Sequence, residues 1–169
     1  MSQLVQYFIG VIFSSSISSN QIAEVLTDAF GPVANISEIY PFDKTRYYAE
    51  EMGENLQRQF FALKNLAAPW DLPRMKELAN TLEKEFFSEK GKRLVNLDPG
   101  YLDSVKVVLA STKTGGHKIA LTEKIYADLI LDYFQGSFRS FDWTFPDFKA
   151  GTYSEYLTNL RKEFLAKIR

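Results

Sequence analysis

Cysteine is missing from this chain altogether, and histidine occurs once, at position 117. A disulfide framework, a thiolate nucleophile and a cysteine-ligated zinc site are thereby excluded, and one imidazole cannot build a histidine-rich metal centre. Charge of one sign is also lacking. Twenty basic and 21 acidic side chains leave a formal net charge of −1, which gives no electrostatic footprint for duplex nucleic acid or an anionic membrane. Nor is there a long hydrophobic run: the stretch from Leu4 to Phe13 is too short to span a bilayer and has no basic segment before it, so it reads as a buried strand. Several signatures of known chemistry do not occur. Gly91-Lys92 has Phe86 where a phosphate-binding P-loop needs its first glycine, and neither G-x-G-x-x-G nor G-x-S-x-G is present.

Aromatic residues, by contrast, are plentiful: 14 Phe, 9 Tyr and 2 Trp. With 46% hydrophobic residues over 169 positions, they supply one sizeable core, and a single domain spanning 1–169 is the expectation. The cysteine-free composition points to a reducing cytoplasm.

Periodicity predicts the order of elements. A first strand covers Val5 to Phe13, and Ser18 and Gln21 form a capping box. The helix that follows carries Ile22, Val25, Leu26, Ala29 and Phe30 on one face and stops at Gly31-Pro32. Val33 to Tyr40 reads as a strand closed by Pro41, Asp43 to Gly53 as one or two helical turns, and Leu56 to Leu63 as a strand. A second helix starts near Asp71 and Pro73, buries Met75, Leu78, Ala79, Leu82 and Phe86, and ends before Gly91. Arg93 to Leu97 completes a βαββαβ unit, the ferredoxin-like pattern.

Beyond that unit, Asp98-Pro99 meets the N-cap and N1 preferences of a further helix running to Thr112, although the β-branched run Val105 to Leu109 also suits a strand. His117 to Leu121, Ile125 to Phe134 and Ser137 to Phe141 read as a hairpin and a third run, with Ala127, Leu129, Leu131 and Tyr133 forming an apolar face. A final helix is expected from a Thr152/Glu155 capping box, with Tyr153, Leu157, Leu160, Phe164 and Ile168 as the stripe that docks on the sheet. The class is therefore α+β: a ferredoxin-like core extended by a helix, a β-hairpin or meander, and a C-terminal helix.

Two ends of the segment from Arg93 to Leu121 carry chemistry. At the first, Asp98 either caps its own helix or, turned outward beside Asn96 and Tyr101, acts as a general base or cation ligand. At the second, Ser111, Thr112, Lys113, Thr114, Gly115, Gly116, His117 and Lys118 gather hydroxyls, ammonium groups, free backbone and an imidazole, a set suited to a phosphate or carboxylate or, equally, to a solvated turn. Tyr40 to Tyr48 and Asp142 to Asp147 mix aromatic with acidic groups and would line a pocket or plug a core. A hard-cation site for Mg²⁺ drawn from Asp43, Glu50, Glu51, Asp98, Asp128 and Asp132 is a further alternative, and no cofactor is otherwise implied.

Four blocks carry a resemblance to a known family: residues 41–53 (PFDKTRYYAEEMG), Asn96 to Leu102 (NLDPGYL) with 106–113, 117–121 with 125–129, and 143–148 (WTFPDF). The chain resembles the bacterial and archaeal family called domain of unknown function 4416 over nearly its whole length, with Gly115-Gly116 standing where other members carry bulkier residues. That resemblance implies a single-domain cytoplasmic protein of uncharacterised function. The nucleotide-binding label given to some members has no P-loop here to support it.

The leading expectation is a cleft for a small anionic metabolite, phosphorylated ones included. Asp98 and His117 are its catalytic candidates. Asp43, Tyr47, Asn96, Lys113, Trp143 and Asp147 are its ligand-binding candidates, and the test is whether Asp43, Asp98, His117 and Asp147 share one cleft. The rivals are a non-catalytic protein-interaction module and an RNA-binding ferredoxin-like sheet; duplex nucleic acid and membrane are not expected partners.

Overall fold

The strand β1 (Gln6–Phe13) is buried along its whole length, which explains why its sequence is a continuous apolar run rather than an alternating one. It lies in the middle of a sheet whose two faces are both covered. The computed structural model describes residues 3–169. Helix α1 (Ser19–Phe30) begins at the predicted capping box, with Ser18 Oγ accepting from the Gln21 amide and the Gln21 side chain accepting from the Ser18 amide. Then come β2 (Val33–Ile36), β3 (Tyr40–Pro41), α2 (Ala49–Met52) and β4 (Gln57–Leu63). Helix α3 (Leu72–Phe86) is followed by the small hairpin β5 (Ser88–Glu89) and β6 (Lys92–Arg93). The chain continues through β7 (Val95–Leu102), β8 (Lys106–Ser111), β9 (Ile119–Ala120), β10 (Tyr126–Phe134) and β11 (Ser137–Ser140) to α4 (Pro146–Lys149) and α5 (Ser154–Lys167).

The main sheet is antiparallel, in the order β11-β10-β8-β7-β1-β4-β2, with β3 on β4 and β9 on β10. Taken as the four strands of a βαββαβ unit, β1, β2, β4 and β7 stand four-one-three-two across it. Tyr7, Ile9, Val11 and Phe13 of β1 meet Ile22 and Leu26 of α1 and Leu72, Met75, Ala79 and Leu82 of α3 on one face. Phe8, Phe60, Leu109 and Ile130 meet Phe148 of α4 and Tyr153, Leu157, Leu160 and Phe164 on the other. The protein is thus α+β, an antiparallel sheet between helical layers.

Several expectations are corrected by this arrangement. Asp98 does not start a helix: β7 runs through Asp98-Pro99 and β8 takes the β-branched run, because the turn signal is Asp103, whose Oδ1 accepts from the Val105 and Lys106 amides. The strand expected from Val33 to Tyr40 is broken after Ile36, where the Ser37 Oγ and amide engage the backbone of Phe60 and interrupt the ladder. Arg93 belongs to the hairpin before β7, closed by Lys90 and Gly91, both at positive φ as a two-residue hairpin turn requires.

Phe86 is exposed and Phe87 takes the buried place, since α3 ends there. In β10 a bulge between Leu129 and Leu131 breaks the alternation, so Ala127 and Leu129 face α3 while Leu131 crosses to the α5 side. Thr152 forms no capping box: α5 begins at Ser154, with Tyr153 turned into the core, and Ile168 lies outside the stripe, half exposed. Asp71 stands at the N-cap position of α3 without a capping bond.

Candidate functional site

The sheet forks beside Pro99. On one side β7 pairs with β1 from end to end, whereas on the other it pairs with β8 only over Gly100 to Leu102. Proline has no N–H to give, and the ladder stops there. Upstream, the Leu97 amide that would have faced β8 donates instead to Glu83 Oε1 at 2.6 Å, and the Leu97 carbonyl accepts from Lys76 Nζ at 3.0 Å. Two buried charged side chains of α3 therefore satisfy the backbone that β8 leaves behind, as buried peptide groups require. Arg93 NH1 donates to Glu83 Oε2 and Asn96 Oδ1, and its other nitrogens grip Glu51. Burial pushes the Glu83 pKa up, against the pull of the Leu97 amide, Lys76 and Arg93.

The fork opens a cleft of ≈ 390 Å³, within the range of small-molecule sites. Asn96 and Asp98 line it from β7, Ser111, Lys113, Lys118 and Asp128 from β8, the loop after it and β10, and Phe42, Tyr47, Tyr48 and Phe145 add aromatic rings. Arg58 of β4 lies beneath, 4% exposed, bonded to Asp147 Oδ2 at 3.2 Å and 3.9 Å from Asp98 Oδ2. Its Nε and NH1 have no acceptor, and the guanidinium sits among the rings of Phe42, Phe60, Phe148 and Tyr153. Burial works against the Arg58 charge, but Asp147, Tyr153 and Asp98 outweigh it and hold the pKa above the ordinary arginine value. Gly10 of β1 makes the room: a Cβ there would stand 3.0 Å from Arg58 NH1 and 3.3 Å from the Phe60 ring.

Of the residues expected in a site, Tyr47, Asn96, Asp98, Lys113 and Asp147 line this one cleft. Asp98 is engaged, accepting from Asn96 Nδ2 at 2.7 Å and Lys76 Nζ at 3.3 Å. Asp147 is held by Arg58 and by the Tyr153 hydroxyl at 2.8 Å. His117 stands behind Asp128, its Nε2 3.2 Å from Oδ1 but out of hydrogen-bond alignment, and its ring stacks on Trp143 at 4.9 Å. Trp143 is fixed by donating to the Leu129 carbonyl and by stacking on Phe141. His117 and Trp143 do not line the cleft, and Asp43 lines a separate depression with Arg46 and Asn55, so the four-residue cleft expected from the sequence is not formed as a whole.

Lys113 Nζ lies 3.9 Å from the Tyr47 ring centroid and has no carboxylate partner among the described residues. Partial burial, and then the like charge of Lys118, lower its pKa. Lys118 donates to Ser111 Oγ and the Lys113 carbonyl and stands 3.9 Å from Asp128 Oδ2. Burial raises the Asp128 pKa, with Lys118 and His117 opposing. For the Mg²⁺ alternative, no group of three or more histidine or acidic residues able to hold a metal occurs among the described residues; Glu51 pairs with Arg93 and Asp132 with Arg139.

Sequence reasoning passed over Arg58, Lys76 and Glu83. A signal existed for Arg58: it shares a strand face with Phe60 and Ala62, both core residues, so a charge at that position is buried. Lys76 and Glu83, seven residues apart, flank the apolar stripe of α3, and nothing in the sequence alone shows that they cap a strand.

The fold and site define an α+β protein with a polar cleft at a fork in an antiparallel sheet. More particularly, the family described as Domain of unknown function (DUF4416) matches residues 3–164, and the chain belongs to it. No curated protein and no solved structure matches the chain.

Proposed function

We propose that the cleft binds a small anionic metabolite, phosphorylated or carboxylated. The observation that carries this reading is the Lys113 ammonium on the cleft wall beside Lys118, with no acid placed to neutralise it among the described residues; partial burial, and then the like charge of Lys118, lower its pKa. Folding has brought like charges together at a cost, and a bound anion offsets it. Ser111, Thr112 and Thr45 stand nearby as hydroxyl donors, and Tyr47 and Phe145 as apolar walls. Asp98 fits a positioning role better than that of a base, since Lys76 and Asn96 already donate to its two oxygens.

An open RNA-binding sheet is less well supported, because helices cover both faces. No helix among the described residues is long and apolar enough to cross a membrane; a cytoplasmic location is part of this proposal and rests on the cysteine-free composition.

A thermal-shift screen of phosphates and carboxylates tests the reading. Anions raise the wild-type melting temperature, because a ligand of the native state alone stabilises it. The Lys113→Met variant loses that shift, whereas Asp43→Asn, in the separate depression, keeps it. No shift with any anion, or an undiminished shift in Lys113→Met, contradicts the proposal.

A further inference from the structure

The buried carboxylates differ in one respect. Asp103 accepts from two backbone amides, Asp147 from Arg58 and Tyr153, and Glu83 from the Leu97 amide and Arg93. Asp128, with 2% of its side chain exposed, has no aligned hydrogen-bond donor at Oδ1 among the described residues. Its neighbours are close without being bonded: His117 Nε2 lies 3.2 Å from Oδ1 but out of line, and Lys118 Nζ lies 3.9 Å from Oδ2, beyond hydrogen-bond length. From β8, the residue paired with it is Leu109, which brings no titratable group. A buried carboxylate left this way is costly to the fold, and its persistence on a cleft wall is the pattern of an acceptor kept for a ligand.

We infer that the metabolite is a hydroxylated anion, whose phosphate or carboxylate lies on Lys113 and Lys118 while a hydroxyl group donates to Asp128. This rests on the anion-binding reading above and names its substrate class. An ammonium donor is the poorer match, because Lys118 stands 3.9 Å from the same carboxylate and Lys113 shares the wall. A hydroxyl brings the missing proton without adding charge. His117, pinned by Trp143, limits how far the carboxylate can turn and so fixes the direction from which the hydroxyl must come.

Calorimetric titration of the full chain with methyl phosphate, ribose 5-phosphate and 2-aminoethyl phosphate reads the preference directly. Ribose 5-phosphate binds at least about tenfold tighter than methyl phosphate, since a site built for a hydroxyl leaves its acceptor unpaired when that group is missing. In Asp128→Asn the two phosphates come within about threefold, because the ionised acceptor, the stronger hydrogen-bond partner, is gone. Without ligand the same variant melts about 2–4 °C higher than wild type, as expected when a buried charge lacking an aligned hydrogen bond is removed.

Equal binding of methyl phosphate and ribose 5-phosphate overturns the hydroxyl assignment and leaves the anion reading standing, and tightest binding of 2-aminoethyl phosphate overturns it in favour of an amine. A lower melting temperature for Asp128→Asn assigns the carboxylate a structural role and also overturns the inference. Failure of all three phosphates to bind removes both readings together.

Discussion

Asn96 to Leu102 shows how one short run is specified residue by residue. Asn96 bonds Asp98, Leu97 fills the core, Pro99 ends the ladder to β8, and Gly100 lets β8 approach, since a Cβ there would lie 2.6 Å from both the Leu109 side chain and the Val108 carbonyl. Gly100→Ala is therefore expected to destabilise by about 3 kcal/mol or more, at or beyond the upper end of overpacking costs, and Gly10→Ala by about 1–3 kcal/mol as Arg58 and Phe60 give way. Urea unfolding checks both.

Lys113 carries a pH prediction. Its pKa lies below the ordinary lysine value, and only its protonated form attracts an anion. Affinity is thus full below that lowered pKa and falls as pH rises through it, before the usual lysine range, with proton uptake on binding at the upper end. Asp128 acts in the opposite sense on stability: its raised pKa means that the carboxylate destabilises the fold when ionised, and the penalty fades as pH falls through that pKa toward the ordinary carboxylate range. The difference in melting temperature between wild type and Asp128→Asn should therefore narrow in acid.

At the scale of elements, the fork between β7 and β8 is the feature that opens the cleft. It depends on α3, whose Lys76 and Glu83 take over the bonds of Leu97. Glu83→Ala leaves a buried amide without an acceptor and is expected to cost about 1–3 kcal/mol, with faster hydrogen exchange at the Leu97 amide than at its β1-facing neighbours. The helices α1 and α3 and the strands β1, β4 and β10 were legible because periodicity and length signal them strongly.

The fork was not legible. Asp98-Pro99 satisfies a local helix-start rule, and only the packing of Val107 and Leu109 against α5 and the Asp103 turn decides for strand. The bulge at Leu129 is hidden for the same reason: it answers to a partner strand, not to its own neighbours. In the site, Asp98, Asn96, Lys113, Tyr47 and Asp147 could be picked out as polar groups at turns and aromatic loops, while Arg58, Lys76 and Glu83 lie inside patterns that normally mark core or solvent faces.

Across the whole molecule, one cluster ties three parts of the chain together: Arg58 from β4, Asp98 from β7, and Asp147 with Tyr153 from the C-terminal layer. Arg58→Met should destabilise by about 3–5 kcal/mol, because Asp147 is left charged and buried without its partner, and Arg58→Met/Asp147→Leu should recover much of the loss. Denaturant unfolding of the single and double variants measures that coupling.

Anion binding at Lys113 and Lys118 is the function proposed for this three-layer fold. Isothermal titration of ribose 5-phosphate into wild type and into Lys113→Met/Lys118→Met decides it. Binding to the wild type is expected to be saturable, to weaken with rising pH and to be lost in the double variant; equal binding to the two proteins, or none to the wild type, rules the anion site out.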